Sequence, residues 1–202
     1  MTAPSADFWY EFASTYSYPA AMRVEALAEA RGVALRWRPF LLGPIFAARG
    51  MVDSPFNLDP AKGRYMWRDL ERICAAAGLP LRRPAPFPQN SLLAARTALA
   101  LDESQRPAFS RAVYRAEFDA GLPISDRATI AAVLDGLGLD AGDVLERAVS
   151  APVKDELRAA TLRAQELGLF GAPDLVMTDG EIFWGNDRLE AGLDRALALA
   201  RR

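Results

Sequence analysis

The sequence predicts an α/β fold whose strand-forming segments lie towards the two ends of the chain, with an all-helical insertion between them. Three observations carry that expectation. An alternating segment, Phe8-Trp9-Tyr10-Glu11-Phe12, gives way at Ser14-Thr15-Tyr16-Ser17 to helical periodicity. Between residues 43 and 151 the strand signal vanishes and a 3.6-residue period takes over. Late in the chain, Gly171-Ala172-Pro173-Asp174 precedes an apolar strand, an Asp179-Gly180 turn, a second strand over Glu181–Trp184 and a last helix.

The elements follow in order. Residues 8–12 read as the first strand. Met22, Val24, Leu27 and Ala28 then give one apolar surface to a helix that begins near Ser17 and stops at Gly32, a residue suited to a left-handed terminus. Val33, Leu35 and Trp37 alternate with Ala34, Arg36 and Arg38, so residues 33–40 form a second strand, closed by Pro39 and a Leu41-Leu42-Gly43-Pro44 turn. A β-α-β unit of this kind implies parallel strands joined by a right-handed crossover. The insertion shows five helices. Met66, Leu70, Ile73, Cys74 and Ala77 mark the first, closed by Gly78, and Leu92, Ala95 and Leu99 the second, after the proline-rich segment 84–88. Phe109, Val113 and Ala116 mark the third, Ile130, Val133, Leu134 and Leu137 the fourth, and Val144, Leu145 and Ala148 the fifth. Pro152 opens a helix carrying Val153, Leu157, Ala160, Ala164 and Leu167, at a position where a missing amide costs little. In the terminal helix Leu189, Leu193, Ala196 and Leu197 share one side, with Asn186 or Asp187 as its N-cap.

This order is thioredoxin-like: residues 1–42 and 152–202 form a thioredoxin-like domain, and residues 43–151 an inserted helical domain. A redox member would place two reactive cysteines at the junction held here by Ser14 and Ser17. Serines at both places imply a site that handles a thiol without oxidising one of its own. The one cysteine, Cys74, lies on the apolar face of its helix as a packed core thiol, and disulfide exchange needs a thiolate at the site. The chain has no histidine, which removes the usual proton shuttle, histidine-based triads and most zinc sites, so no metal is expected. A net charge of −2 over 202 residues, with no long basic run, argues against nucleic acid as a partner. No apolar stretch approaches the roughly 20 residues that span a bilayer. With Met1–Ala6 lacking the charged and apolar regions of a signal peptide, a reducing cytoplasm is the expected compartment.

Four segments carry candidate chemistry, each beside a plainer reading. Ser14 stands where the amides at a helix start favour an anion, so a bound thiolate would be stabilised there. Bringing a thiol from about pH 8.5 to near neutrality needs roughly 2–3 kcal/mol, which a hydroxyl hydrogen bond and a helix terminus supply together. The plainer reading is that Ser14 and Ser17 cap the helix; both roles are compatible. Pro173 after Ala172, placed before the final hairpin, would let Ala172 present its N–H and C=O to an extended peptide, or it is an ordinary loop proline. The Gly185-Asn186-Asp187-Arg188 segment either caps the last helix or holds a zwitterionic peptide end, with Asn186 and the amides for a carboxylate and Asp187 for an ammonium. Lys62, one of two lysines among 24 basic residues, draws notice in Pro60-Ala61-Lys62-Gly63-Arg64-Tyr65, although an exposed lysine is the default.

Together, Phe12-Ala13-Ser14-Thr15-Tyr16-Ser17-Tyr18, Arg38-Pro39-Phe40-Leu41-Leu42-Gly43, Pro60–Tyr65, Gly171-Ala172-Pro173 and Phe183-Trp184-Gly185-Asn186-Asp187-Arg188-Leu189 resemble the 2-hydroxychromene-2-carboxylate isomerase family, close to the kappa-class glutathione transferases. The resemblance runs from about Asp7 to Leu197. It implies glutathione as cofactor, a homodimer, and a small aromatic substrate. By position, Ser14 resembles the serine that contacts the glutathione sulfur, Ala172 with Pro173 the pair that meets its backbone, and Asn186 with Asp187 the pair holding its γ-glutamyl end. Lys62 and Asp69 fall on site-lining positions, Asn57 on a further one, and Asp69 and Arg188 are candidates to act from the dimer partner. Thr15 stands where the family usually has proline. Tyr18 and Trp67 are candidates to pack the substrate. The implied reaction is thiol-assisted interconversion of 2-hydroxychromene-2-carboxylate and trans-o-hydroxybenzylidenepyruvate. A kappa-like transferase or peroxidase is the nearest alternative, and a non-catalytic thiol- or peptide-binding module the alternative of another class.

Overall fold

The computed structural model describes residues 3–201; Met1, Thr2 and Arg202, inside the anticipated bounds of the first domain, lie outside the described residues. Strands β1 (Ser5–Tyr10), β2 (Ala34–Pro39), β3 (Asp174–Met177) and β4 (Ile182–Trp184) form one mixed sheet in the order β2-β1-β3-β4. β1 and β2 are parallel, with Phe8 opposite Trp37, and helix α1 (Ser17–Glu29) is the crossover between them. β3 runs antiparallel to β1, with Phe8 opposite Leu175, and β4 closes the hairpin. Its turn is the expected one: the Gly180 N–H donates to the Met177 carbonyl at 3.0 Å, and Gly180 takes φ +87°, which glycine adopts without strain. β1 starts three residues before Phe8 and ends at Tyr10 rather than Phe12. The Glu11 carbonyl accepts the Ser14 amide at 3.1 Å, which turns the chain before Phe12 can pair.

Phe8, Trp9 and Tyr10 of β1 are buried on both faces of the sheet, which explains three consecutive aromatic residues there. Phe8 and Tyr10 pack on Trp37 at ring-centroid distances of 4.9 and 5.2 Å, while Trp9 on the opposite face meets Phe40 at 5.9 Å. A fully buried side chain of this size contributes about 2–3 kcal/mol by removal from water. The first face continues into the helices, where Phe12 packs on Phe109 and Tyr114 of α6 (Arg106–Phe118). Arg106, almost fully buried, donates to the carbonyls of Ala98, Trp37 and Leu101, which ties the start of α6 to β2 and to α5 (Leu92–Ala100).

The five expected helices of the middle segment are present as α4 (Pro60–Ala76), α5, α6, α7 (Arg127–Gly136) and α8 (Ala141–Ala148). Two more precede them. Where a Leu41–Pro44 turn was expected, α2 (Leu42–Ala48) begins, and α3 (Pro55–Leu58) follows. Pro44 does not end a helix here because it lies in the first turn of one, where its amide would have had no intrahelical partner. The fully buried Ile45 anchors α2. Helix α9 (Ala151–Glu166) carries Pro152 in its first turn, as expected, and α10 (Leu189–Ala200) ends the chain. Neither Asn186 nor Asp187 caps α10. A 3₁₀ turn over Asn186–Arg188 comes first, and no side chain caps the α-helix proper. Among the described residues, no helix is long and apolar enough to cross a membrane.

Candidate functional site

The turn between β1 and α1 holds Ser14 by its backbone and uses its side chain twice. The Ser17 N–H donates to the Ser14 carbonyl at 3.2 Å and to Oγ at 3.3 Å, so Ser14 satisfies the first helical amide, while the N-cap residue itself is Tyr16 and gives no side-chain bond. Its own hydroxyl donates across the fold to the Ala172 carbonyl at 2.9 Å. Ser17 is fully buried and makes no cap bond. The Ala172–Pro173 peptide is cis, and the Pro173 carbonyl accepts the Gly185 amide at 2.9 Å, which ties this loop to the end of β4.

A cavity of about 1050 Å³ opens beside this junction, lined on one side by Ser14, Thr15 and Ala172 and on another by Lys62. Its remaining wall is largely apolar. Phe46 comes from α2, Phe56 from α3, Phe87 from the proline-rich segment, and Phe170 and Trp184 flank the Ala172 loop. Phe170 meets the Trp184 ring edge-on at 4.6 Å, and the indole lies so close to Gly171 that a Cβ there would stand 2.5 Å from Nε1. The candidates Tyr18 and Trp67 are not part of this wall. Tyr18 is fully buried, stacked on Phe118, with its hydroxyl donated to the Pro80 carbonyl at 2.8 Å; Trp67 packs on Phe87 from behind. Most of the aromatic wall comes from α2, α3 and the loop before β3, segments whose periodicity is too short to reveal an inward face.

The remaining candidate residues do not line the cavity. Asn57 donates to Asp53 at 3.0 Å and to the Phe87 carbonyl at 3.2 Å, both on cavity-lining residues. Asp69 accepts the hydroxyl of Tyr16, itself a lining residue, at 3.1 Å and pairs with Arg72. Asn186 is buried, its carbonyl and Oδ1 each accepting from Arg23 at 3.4 Å. Asp187 and Arg188 are exposed and pair with each other at 3.1 Å. Cys74 is buried far from any such role, and burial pushes its thiol up to about 11.

Among the lining residues that were not anticipated is a buried acid. Glu11, 5% exposed, reaches the cavity from the same turn as Ser14. Burial pushes its carboxyl up to about 7, against the lowering effect of the Ser91 hydroxyl and the Ala13 amide that donate to it. A charged residue between Tyr10 and Phe12 in an otherwise apolar strand was the available signal. Asp174, beside Pro173, is also buried; among the described residues neither of its carboxyl oxygens has a partner, and burial pushes it up to about 8.

Fold and site define a thioredoxin-fold protein with serines in place of redox cysteines, and residues 6–197 match the DSBA-like thioredoxin domain family. The chain is 33% identical over 185 residues to the 2-hydroxychromene-2-carboxylate isomerase of Sphingobium xenophagum, across 91% of this chain and 93% of that protein. It is 28% identical over 201 residues to glutathione S-transferase kappa 1 of Homo sapiens, across 91% of this chain and 87% of the relative. A solved 2-hydroxychromene-2-carboxylate isomerase superposes with a TM-score of 0.87 at 28% identity, covering 98% of this chain and 96% of that one. The chain belongs to the DSBA-like thioredoxin domain family and, within it, to the 2-hydroxychromene-2-carboxylate isomerase family.

Proposed function

We propose that this enzyme is a glutathione-dependent isomerase interconverting 2-hydroxychromene-2-carboxylate and trans-o-hydroxybenzylidenepyruvate, or a close analogue. The observation that carries the reading is Ser14 Oγ at the helix start, 2.9 Å from the Ala172 carbonyl, on the edge of a cavity with an aromatic wall. The residues present fit glutathione. The Ala172 carbonyl has two lone pairs and accepts only Ser14 from the protein side chains, so it has capacity for a ligand amide. Lys62 offers a cation for a carboxylate. Asn186 and Asp187, held next to the Pro173 loop by the Gly185 hydrogen bond, are assigned to the γ-glutamyl end. Asn57 is assigned to the rim.

The chemistry that glutathione supplies when bound is a thiolate able to add reversibly to an unsaturated carbon. The chain's own part is to bind, orient and shield. Ser14 turns its hydroxyl from Ala172 towards the sulfur, where a hydrogen bond to an anion is worth about 1.5–3 kcal/mol. Phe46, Phe56, Phe87, Phe170 and Trp184 pack the aromatic substrate and keep water from it. In this proposal a thioredoxin-like unit of residues 1–42 and 152–202 supplies the thiol site, and the helical insertion of 43–151 supplies most of the substrate wall. The enzyme works in the cytoplasm as a homodimer, with Asp69 and Arg188 directed to the partner's site.

Absorbance distinguishes the two substrates through their conjugation. Turnover that requires glutathione is the expected result, and equal rates with and without it would overturn the mechanism. Stable glutathione conjugates would favour the transferase alternative, as the kappa-class relative suggests. Glutathione binding without turnover of any electrophile would leave a binding module. Size-exclusion chromatography tests the dimer.

A further inference from the structure

We infer that Glu11 is the proton acceptor for the thiol bound in this cavity: its carboxylate takes the S–H proton as the thiol binds and returns it as the thiol leaves. The inference rests on the reading of the cavity as a glutathione site. A thiol entering it must lose a proton, and Ser14 cannot take one, because its hydroxyl serves as a donor and its oxygen already accepts the Ser17 amide. No histidine exists in the chain. Four ionisable side chains line the cavity. Lys62 is exposed and cationic. Tyr16 donates its hydroxyl to Asp69, and burial, with that carboxylate, pushes its pKa further up. Asp53 is exposed and accepts from the Ser54 amide and Asn57. Glu11 alone of the four is buried, and it is held three ways in the turn that carries Ser14. Its carbonyl accepts the Ser14 amide at 3.1 Å, while Ala13 and Ser91, which also line the cavity, donate to its carboxylate.

The surroundings tune Glu11 towards sharing a proton. From α6, Tyr114 donates to the Glu11 carbonyl at 2.9 Å, and Glu117, fully buried and without a partner on either oxygen, faces it as a second carboxyl. No cation pairs with Glu11 among the described residues. Burial therefore prevails over its two donors and sets the carboxyl near neutrality, where it both accepts and releases a proton readily. The exchange is balanced: the S–H bond breaks with its electron pair left on sulfur, and an O–H bond forms on Glu11. The pair of Glu11 and thiol carries one negative charge before and after, on the carboxylate or on the sulfur, so no second charge is buried there.

Glu11→Gln keeps an acceptor for Ser91 and Ala13 but cannot take the proton. Infrared difference spectra of the protein without glutathione should show a carboxyl titrating near neutral pH that is missing in Glu11→Gln. At fixed neutral pH, adding glutathione should increase the protonated-carboxyl band of the unsubstituted enzyme. Glu11→Gln should lower kcat about 100-fold and remove the acid limb of the pH profile, with glutathione affinity within about threefold. Should Glu11→Gln not fold, Ser91→Ala removes one stabilising donor, and the same carboxyl band and acid limb should move to higher pH. An unchanged carboxyl band on glutathione binding, or an unaltered kcat and acid limb in Glu11→Gln, would overturn the inference while leaving the glutathione site standing. Calorimetry showing no glutathione binding to the unsubstituted enzyme would overturn both.

Discussion

Ser14 is engaged on both sides, accepting from Ser17 and donating to Ala172, so the part proposed for it in catalysis requires its proton to change partner. Removing the hydroxyl should therefore spare the contacts that hold a peptide and damage the one that holds a sulfur. In Ser14→Ala, kcat should fall about 10- to 100-fold, the equivalent of a hydrogen bond to a charged group, while calorimetric affinity for glutathione changes by less than about threefold. Comparable losses in both would place Ser14 in ligand binding instead. Cys74 gives the opposite expectation. It is 1% exposed against Leu70 and other core side chains, so Cys74→Ala should cost about 1 kcal/mol in urea denaturation through the lost volume and leave turnover unchanged. Full inactivation of a folded Cys74→Ala enzyme would make the thiol the chemistry.

Among the elements, the pair α3 and α4 bears most directly on the substrate wall. Asp59 caps α4 by accepting from the amides of Ala61 and Lys62, which fixes the approach of Lys62 to the cavity. One turn later Gly63 lets the helix pass directly beneath α3, where a Cβ would stand 2.3 Å from the Phe56 carbonyl oxygen. Gly63→Ala must push the two helices apart at a backbone atom, which no side-chain rotation relieves. We expect a loss of about 1–3 kcal/mol in thermal or urea unfolding, with a raised KM for the aromatic substrate as Phe56 leaves the wall. Unchanged stability and KM would show that the α3 segment yields without cost.

At the scale of the whole molecule, three carboxyl groups among the described residues are buried with raised pKa values, and this sets the sign of the pH dependence. Burial holds Asp174 at about 8 and Glu11 at about 7, and raises Glu117 well above the usual range. For Asp174 the unfolded value is about 3.9, so the folded state binds an extra proton between about pH 4 and 8. Its contribution to stability is therefore complete below about pH 4 and is lost as pH rises to about 8, by at most about 1.4 kcal/mol per pH unit. Glu71 and Asp179, lowered by Arg83 and by the Glu181 amide respectively, act in the opposite sense, but both are exposed and screened by solvent. The melting temperature should accordingly decrease from about pH 5 to about pH 8. Asp174→Asn should flatten this slope, gaining on the unsubstituted protein at the upper end. Parallel pH curves for the two proteins would show that Asp174 is ionised in the folded state.

Much of this architecture was legible because local patterns and tertiary packing agree. The β-α-β start, the Asp179-Gly180 hairpin and the helices α4 to α9 announce themselves through periods of 2 and 3.6 and through proline and glycine at places where backbone geometry favours them. The five short segments from Phe12 to Leu189 carried the family, since their order follows the chain itself. The four-residue helix α3 and the seven-residue α2 are not legible in the sequence because so few residues complete no recognisable period, and Pro44 resembles a breaker until its place in a first turn is known. A 3₁₀ turn displaced the start of α10 for a similarly local reason. Tertiary structure alone decided which aromatic rings face the cavity: Tyr18 is buried against Phe118 and Trp67 packs on Phe87, while Phe87 and Trp184 line the cavity. It alone also revealed Glu11 as a buried acid beside Ser14. A sequence states that a carboxyl is present, whereas its proton affinity depends on how much water the folded chain excludes around it.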